Sequence, residues 1–265
     1  MLIHIVADYG PGDLAFAEVI QKFASLVPEV QLVPTPVAPF ATLAAGFCVA
    51  QLGLNPAPPG TVIFHNVAPR EDDEAERQAN AGERLAMARL PNGVLVVGVN
   101  AGYVYSFLRD VAEELCWVNC AAEGSQFRSR DLFPQAVADL IANRAGLIAE
   151  PLQPGDVPDV PAGRVAYADG YGNLKLTLTR DDIKGEPGQT LKVAVAGVEH
   201  DAVLSDGSFG VPPGTVALAP GSSGWDRPGG GGRVTWLELF HRGESAARTF
   251  NGPPSGAEVR VGRGS

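Results

Sequence analysis

Pro151-Leu-Gln-Pro-Gly-Asp-Val-Pro-Asp-Val-Pro161 divides this chain into two halves of different periodicity. Its four prolines restrict φ and remove backbone donors, so the stretch reads as a stiff, extended linker. Before it, apolar residues alternate between strand-like runs and helical spacing. After it, the helical spacing vanishes. The expected organisation is an α/β domain at 1–150, a linker at 151–161 and a β-barrel-like domain at 162–265.

Upstream, residues 2–7 are an apolar strand. Phe16, Val19, Ile20, Phe23 and Leu26 recur at helical spacing, so 13–26 reads as an amphipathic helix with Asp13 as N-cap. A short strand at 30–33, an alanine-rich helix at 40–54 and a strand at 61–66 follow. Residues 68–82 are a charged loop. Runs at 84–90 and 93–98 flank Pro91-Asn92-Gly93, a hairpin signal. Helices are expected at 102–115 and 130–143. The alternation predicts a mainly parallel sheet covered by helices. Downstream, β-rich runs at 164–168, 175–179, 191–195, 216–218, 234–240 and 259–261 predict an antiparallel barrel or sandwich. Gly229-Gly-Gly-Gly232 has no Lys-Ser/Thr after it and reads as a hairpin tip, not a phosphate loop.

The 265 residues suffice for two domains, and the net charge of −10 argues against nucleic acid or an anionic membrane as partner. The N-terminus lacks a basic leader and reads as a first strand, and no apolar run reaches membrane-spanning length. Three cysteines suit a reducing cytoplasm. Cys116 and Cys120 read as buried thiols beside Trp117, and neither they nor the four scattered histidines have metal-ligand spacing.

Three segments carry chemistry. Ile3-His-Ile-Val-Ala-Asp8-Tyr-Gly-Pro-Gly-Asp13 runs a strand into an acidic turn. Phe127-Arg-Ser-Arg-Asp131 lies in the middle. Asp169-Gly-Tyr-Gly-Asn173 follows the linker. Each also has a structural explanation. Asp8 also reads as a turn cap, Asp13 equally as an N-cap, Ser129 as a helix cap, and Asp169 with Asn173 as an Asx turn.

In this order, with Pro59-Gly-Thr-Val62 and Val99-Asn-Ala-Gly102 between them, the segments resemble the S-adenosylmethionine (SAM) hydroxide adenosyltransferase and fluorinase/chlorinase superfamily. There the first turn is Asp-Phe-Gly or Asp-Leu-Gly, and the middle element is Phe-His-Gly-Arg-Asp or Phe-Tyr-Ser-Arg-Glu. The resemblance implies a homotrimer with sites at subunit interfaces, taking SAM or adenosine. The implied reaction is displacement at the ribose C5′, with SAM as substrate and no cofactor. It implies that Asp8 holds the ribose hydroxyls and that Asp13 is a second acidic contact. Phe40 would stack on the ligand, and Asn100 and Phe127 would complete the binding wall. Asp169 and Asn173 would grip the methionine end, and Arg242, in Phe240-His-Arg-Gly243, would meet the adenine edge. Core packing accounts equally for Phe40, and a solvated hairpin charge for Arg242.

The departures concern the nucleophile. The hydrolases' activating aspartate is Ala68 here, their histidine is Arg128, and Ser129 replaces their glycine as in the fluorinases. Arg77 is the candidate third member of the water-holding group. Arg128 would draw in an anion, or would pair with Glu71, Asp72 or Asp73. With Ser129, Arg128 and Arg77 as catalytic candidates, the expectation is adenosine and methionine formed with water. The alternatives are a halogenase-like reaction and non-catalytic binding of SAM or adenosine.

Overall fold

The computed structural model describes residues 1–68, 82–121, 123–207, 210–227 and 230–263. The chain separates into two compact units, Met1–Asp159 and Val160–Ser265.

The first unit is built on a seven-stranded sheet with β1 (Leu2–Ala7), β2 (Gln31–Pro36), β3 (Val62–Asn66), β4 (Leu85–Arg89), β5 (Leu95–Val99), β6 (Glu114–Val118) and β7 (Ile148–Pro151). The strand order is β2-β1-β3-β5-β4-β6-β7. The β2, β1, β3 and β5 strands are mutually parallel. From β5 onward every pairing is antiparallel. The sheet is therefore mixed, with its parallel half first in the chain. The switch begins at the hairpin Leu90–Val94, where Gly93 takes φ +82° and Leu90 N–H bonds Val94 O at 2.9 Å. That left-handed position is what the Asn92-Gly93 pair supplies.

Helix α1 (Leu14–Leu26) starts at Asp13, whose carboxylate accepts the Ala15 N–H at 2.8 Å. It buries Phe16, Val19 and Phe23 against the sheet, where Phe23 meets Phe64 edge-to-face at 5.1 Å. Helix α2 (Thr42–Gly53) is apolar nearly all round and buried accordingly. The expected helix at 130–143 is two helices, α3 (Arg128–Asp131) and α4 (Phe133–Ile141). They part at Leu132, with Pro134 in the first turn of α4, where its missing N–H costs nothing.

The expected helix at 102–115 is not one. Gly102 takes φ +48°, and bonds such as Ser106 N–H to Tyr103 O and Leu108 N–H to Tyr105 O span three residues. The stretch is a series of tight turns that bury Val104, Tyr105 and Leu108. Its end, with Cys116 and Trp117, pairs with β4 as strand β6. Turn-by-turn burial mimics helical spacing, and tertiary pairing overrides it. Cys116 and Cys120 are half-buried rather than buried. No described helix is long and apolar enough to cross a membrane.

The second unit holds β8 (Val165–Ala168), β9 (Leu174–Thr179), β10 (Thr190–Val195), β11 (Val198–Leu204), β12 (Val216–Asp226), β13 (Arg233–His241) and β14 (Val259–Arg263), with one short helix, α5 (Ala246–Thr249). Their order is β14-β10-β11-β12-β13-β9-β8. The Arg164–Glu258 bridge, with Val165 N–H on Ala257 O and Val259 N–H on Gly163 O, brings the two edges together. The result is a nearly closed barrel, antiparallel except for two residue pairs between β11 and β12. Strand β11 carries Glu199, His200 and Asp201 in its middle, so it has no apolar run to mark it in the sequence. The expected hairpin tip at 229–232 lies partly outside the described residues, between β12 and β13.

Candidate functional site

The carboxyl ends of the parallel strands converge on one cleft of ≈ 520 Å³. Asp8 follows β1, Asn66 ends β3 with Ala68 two residues beyond, and Val99 ends β5. The chain leaves β1 toward β2 on one side, while β3 lies on the other. A topological switch point of this kind leaves a crevice at the strand ends, where ligands of α/β sheets usually bind. The sequence candidates Asp8, Asp13, Phe40, Phe127, Arg128 and Ser129 all line this cleft. They come from three segments far apart in the chain.

Asp8 Oδ2 accepts the backbone N–H of Phe40 at 3.2 Å. This fixes the loop between β2 and α2 over the cleft. Phe40 itself takes φ +62° and is 44 % exposed. A bulky residue held left-handed is an outlier that the surroundings must enforce, and such residues gather at functional sites. Phe40 is therefore not core packing. Asp13 combines its N-cap bond with a place on the cleft wall.

Phe127 precedes α3, and Ser129 is buried within it. Tyr9 is the partner that sequence reading passed over. Its ring sits edge-to-face with Phe16 at 5.1 Å and with Phe127 at 6.0 Å. Its hydroxyl lies 2.5 Å from Ser129 Oγ and is also bonded by the Asn66 side chain. Burial pushes the Tyr9 phenol well up. The Ser129 bond opposes that shift, and the Asp8 charge adds to it. The phenol is therefore protonated at neutral pH. The signal was present as a departure, since Tyr9 stands where the resembling family carries Phe or Leu.

Arg128 is tethered. Its Nη1 donates to the Glu83 carbonyl at 3.0 Å, and its Nη2 lies 3.9 Å from the Glu83 carboxylate. The guanidinium also stands over the Phe133 ring at 5.3 Å. Glu83 was not among the expected partners. Arg77, Glu71, Asp72 and Asp73 lie outside the described residues. Arg130 turns away to Glu18 and Asp131 and covers Phe127. Asn100 is not on the cleft wall. It donates Nδ2 to Asp156 O at 2.7 Å, and its buried Oδ1 has no partner among the described residues.

The remaining candidates belong to the second unit. Asp169 Oδ1 accepts the N–H groups of Tyr171 and Asn173, and Oδ2 accepts Asn173 Nδ2 at 3.0 Å. Lys175 Nζ stands 3.2 Å from Asp169 Oδ2 and 2.6 Å from Glu238 Oε1, almost fully buried between them. Burial alone would raise the Asp169 carboxyl, but the Asn173 bonds and the Lys175 ammonium hold it below its ordinary range. Asp169 and Asn173 are thus an Asx turn joined to a buried ion triad whose other members, Lys175 and Glu238, the sequence did not single out. Arg242 donates Nη1 to the Val211 carbonyl and ties down its neighbouring loop. No group of His, Cys, Asp and Glu among the described residues could hold a metal ion.

No family model matches the chain, and no curated protein matches it. Solved structures do. One is described as an uncharacterized conserved protein from Thermotoga maritima. It is 18 % identical with a TM-score of 0.72, and the match covers 98 % of this chain and 99 % of the other. Another is described as a conserved hypothetical protein from Thermus thermophilus. It is 20 % identical with a TM-score of 0.64, covering 98 % of each. At such identities the likeness establishes a shared fold across the whole length of this chain.

Proposed function

We propose that the cleft binds SAM and that the protein cleaves it with water at C5′, giving adenosine and L-methionine, as a divergent member of the superfamily it resembles. One observation carries this reading. Among the described residues, the cleft is lined by three carboxylates, Asp8, Asp13 and Glu83, against one guanidinium, Arg128. A net negative cleft suits the sulfonium cation of SAM and weighs against a free halide. The Glu83 contact also offsets the charge that would draw an anion to Arg128. The sulfonium leaves as a neutral thioether, so the protein needs chiefly to hold water in line with the C5′–S bond. In this reading Asp8, just after β1, accepts from the ribose hydroxyls and exposed Phe40 covers a flat ring; their common place on the cleft wall supports those roles. In this reading the protein works in the cytoplasm, where free thiols persist, and assembles as a homotrimer.

Non-catalytic binding is the second reading. Ala68, which puts a methyl where the hydrolases carry a carboxylate, favours it. Incubation of the purified protein with SAM, followed by mass spectrometry, separates the readings. Adenosine and methionine in equal amounts are expected, with no 5′-halo-adenosine in chloride or fluoride. SAM binding without adenosine above the no-protein control would leave the binder.

A further inference from the structure

We infer that the Tyr9 and Ser129 hydroxyls form a cradle for the oxygen that the reaction attaches to C5′, holding the attacking water before displacement and the adenosine 5′-hydroxyl after it. This inference rests on the reading of the cleft as a SAM site.

The geometry is specific. The two hydroxyls meet at 2.5 Å on the cleft wall, Ser129 from α3 and Tyr9 from the end of β1, a separation of 120 residues. Each hydroxyl offers one hydrogen and two lone pairs. Their mutual bond uses one hydrogen, and the Asn66 side chain adds one more bond to the phenol. The Asn66 bond favours the ionised phenol, as a donated amide N–H does, so one hydroxyl hydrogen and lone pairs of the pair are left for a small oxygen in the cleft. Phe16 and Phe127 pin the Tyr9 ring from two sides, so the phenol oxygen has little freedom to drift. A fixed pair of neutral donors and acceptors can orient a water without neutralising it. The pair thus occupies the role vacated by the carboxylate at Ala68.

The phenol does not act as the base, because burial keeps it protonated. In the step, the water oxygen bonds to C5′, the C5′–S bond breaks and its electron pair stays on sulfur. The extra proton on the new oxygen passes to solvent at the cleft mouth. SAM and water give adenosine, methionine and one proton.

The test uses the full-length protein and two nucleosides, adenosine and 5′-deoxyadenosine, which differ only in the oxygen at issue. Calorimetry of the native protein should show adenosine binding about tenfold more tightly, the effect of one well-made hydrogen bond. Tyr9→Phe keeps the ring and removes the hydroxyl. It should bring the two affinities to within about twofold and leave 5′-deoxyadenosine binding unchanged. Ser129→Ala should do the same, and the double variant should be no worse, since the pair acts as one unit. Should Tyr9→Phe misfold, Ser129→Ala carries the test. With SAM saturating, Tyr9→Phe should slow adenosine formation by about 10- to 100-fold without changing SAM affinity. No native preference for adenosine, or a preference that survives both substitutions, overturns the cradle. If neither nucleoside binds, the cradle and the SAM site fall together. If the preference exists but SAM yields no adenosine, the cleavage reading and the water-holding role fall, and the pair stands only as a site for the adenosine 5′-hydroxyl.

Discussion

His65 shows how one residue can be central to the core and yet irrelevant to the cleft beside it. It is fully buried in β3, both its ring nitrogens lack a partner among the described residues, and its ring meets Tyr105 edge-to-face at 4.9 Å. Burial pushes its pKa down to about 3. The unfolded chain binds a proton at His65 below about pH 6.5, while the folded chain refuses it. Stability should therefore fall as pH drops from about 6.5 toward 3, by up to ~1.4 kcal/mol per pH unit from this group. His65→Leu should flatten that acid limb in urea denaturation at pH 7 and pH 4.5. Identical slopes in the two proteins would show that His65 does not titrate in this way. Nothing in the order of residues separates His65 from Asn66, yet alternation along β3 gives one to the core and the other to the cleft.

At the scale of elements, the Asp169–Asn173 turn and strand β13 are joined by charge. Lys175 on β9 stands between Asp169 and Glu238, and Glu238 also accepts the Ser222 N–H at 2.8 Å. Breaking one member of a buried ion cluster leaves the others uncompensated. Lys175→Met should destabilise the protein by about 3–5 kcal/mol. Adding Glu238→Gln should recover most of that loss, because the carboxylate left without its ammonium is gone. Chemical denaturation followed through Trp225 and Trp236 gives the measurement, since the two rings pack 5.7 Å apart near this network. A Lys175→Met protein as stable as the native one would mean that the triad contributes only geometry. This network was invisible in sequence. Lys175 and Glu238 are 63 positions apart, and only the pairing of β9 with β13 brings them together. The glycine-flanked Asp and Asn were legible, but which groups would share the carboxylate was not.

At the scale of the whole molecule, the proposed activity carries a homotrimer with it. Closed cyclic symmetry is the ordinary way for head-to-tail contacts to end without forming a filament. Light scattering at micromolar concentration should give a mass three times the 27.6 kDa of the chain. A monomer at that concentration would remove the trimer from the proposal.

By itself the sequence determined the class of each half and most of its elements. Apolar period, Asp13 as an N-cap, Asn92-Gly93 as a hairpin and the run of short β segments after Pro161 are local signals, set by neighbours within a few residues. Through the ordered motifs that carry the family resemblance it also pointed to the cleft residues Asp8, Phe40, Phe127, Arg128 and Ser129. The tertiary structure decided the rest. It turned 102–115 from helix into turns and a strand, since pairing with β4 outweighs local spacing. It gave Arg128 the partner Glu83, and it brought the Tyr9 hydroxyl to Ser129 across 120 residues. A hydrogen bond or an ion pair depends on separation in space, and separation along the chain does not encode that until the sheet has formed.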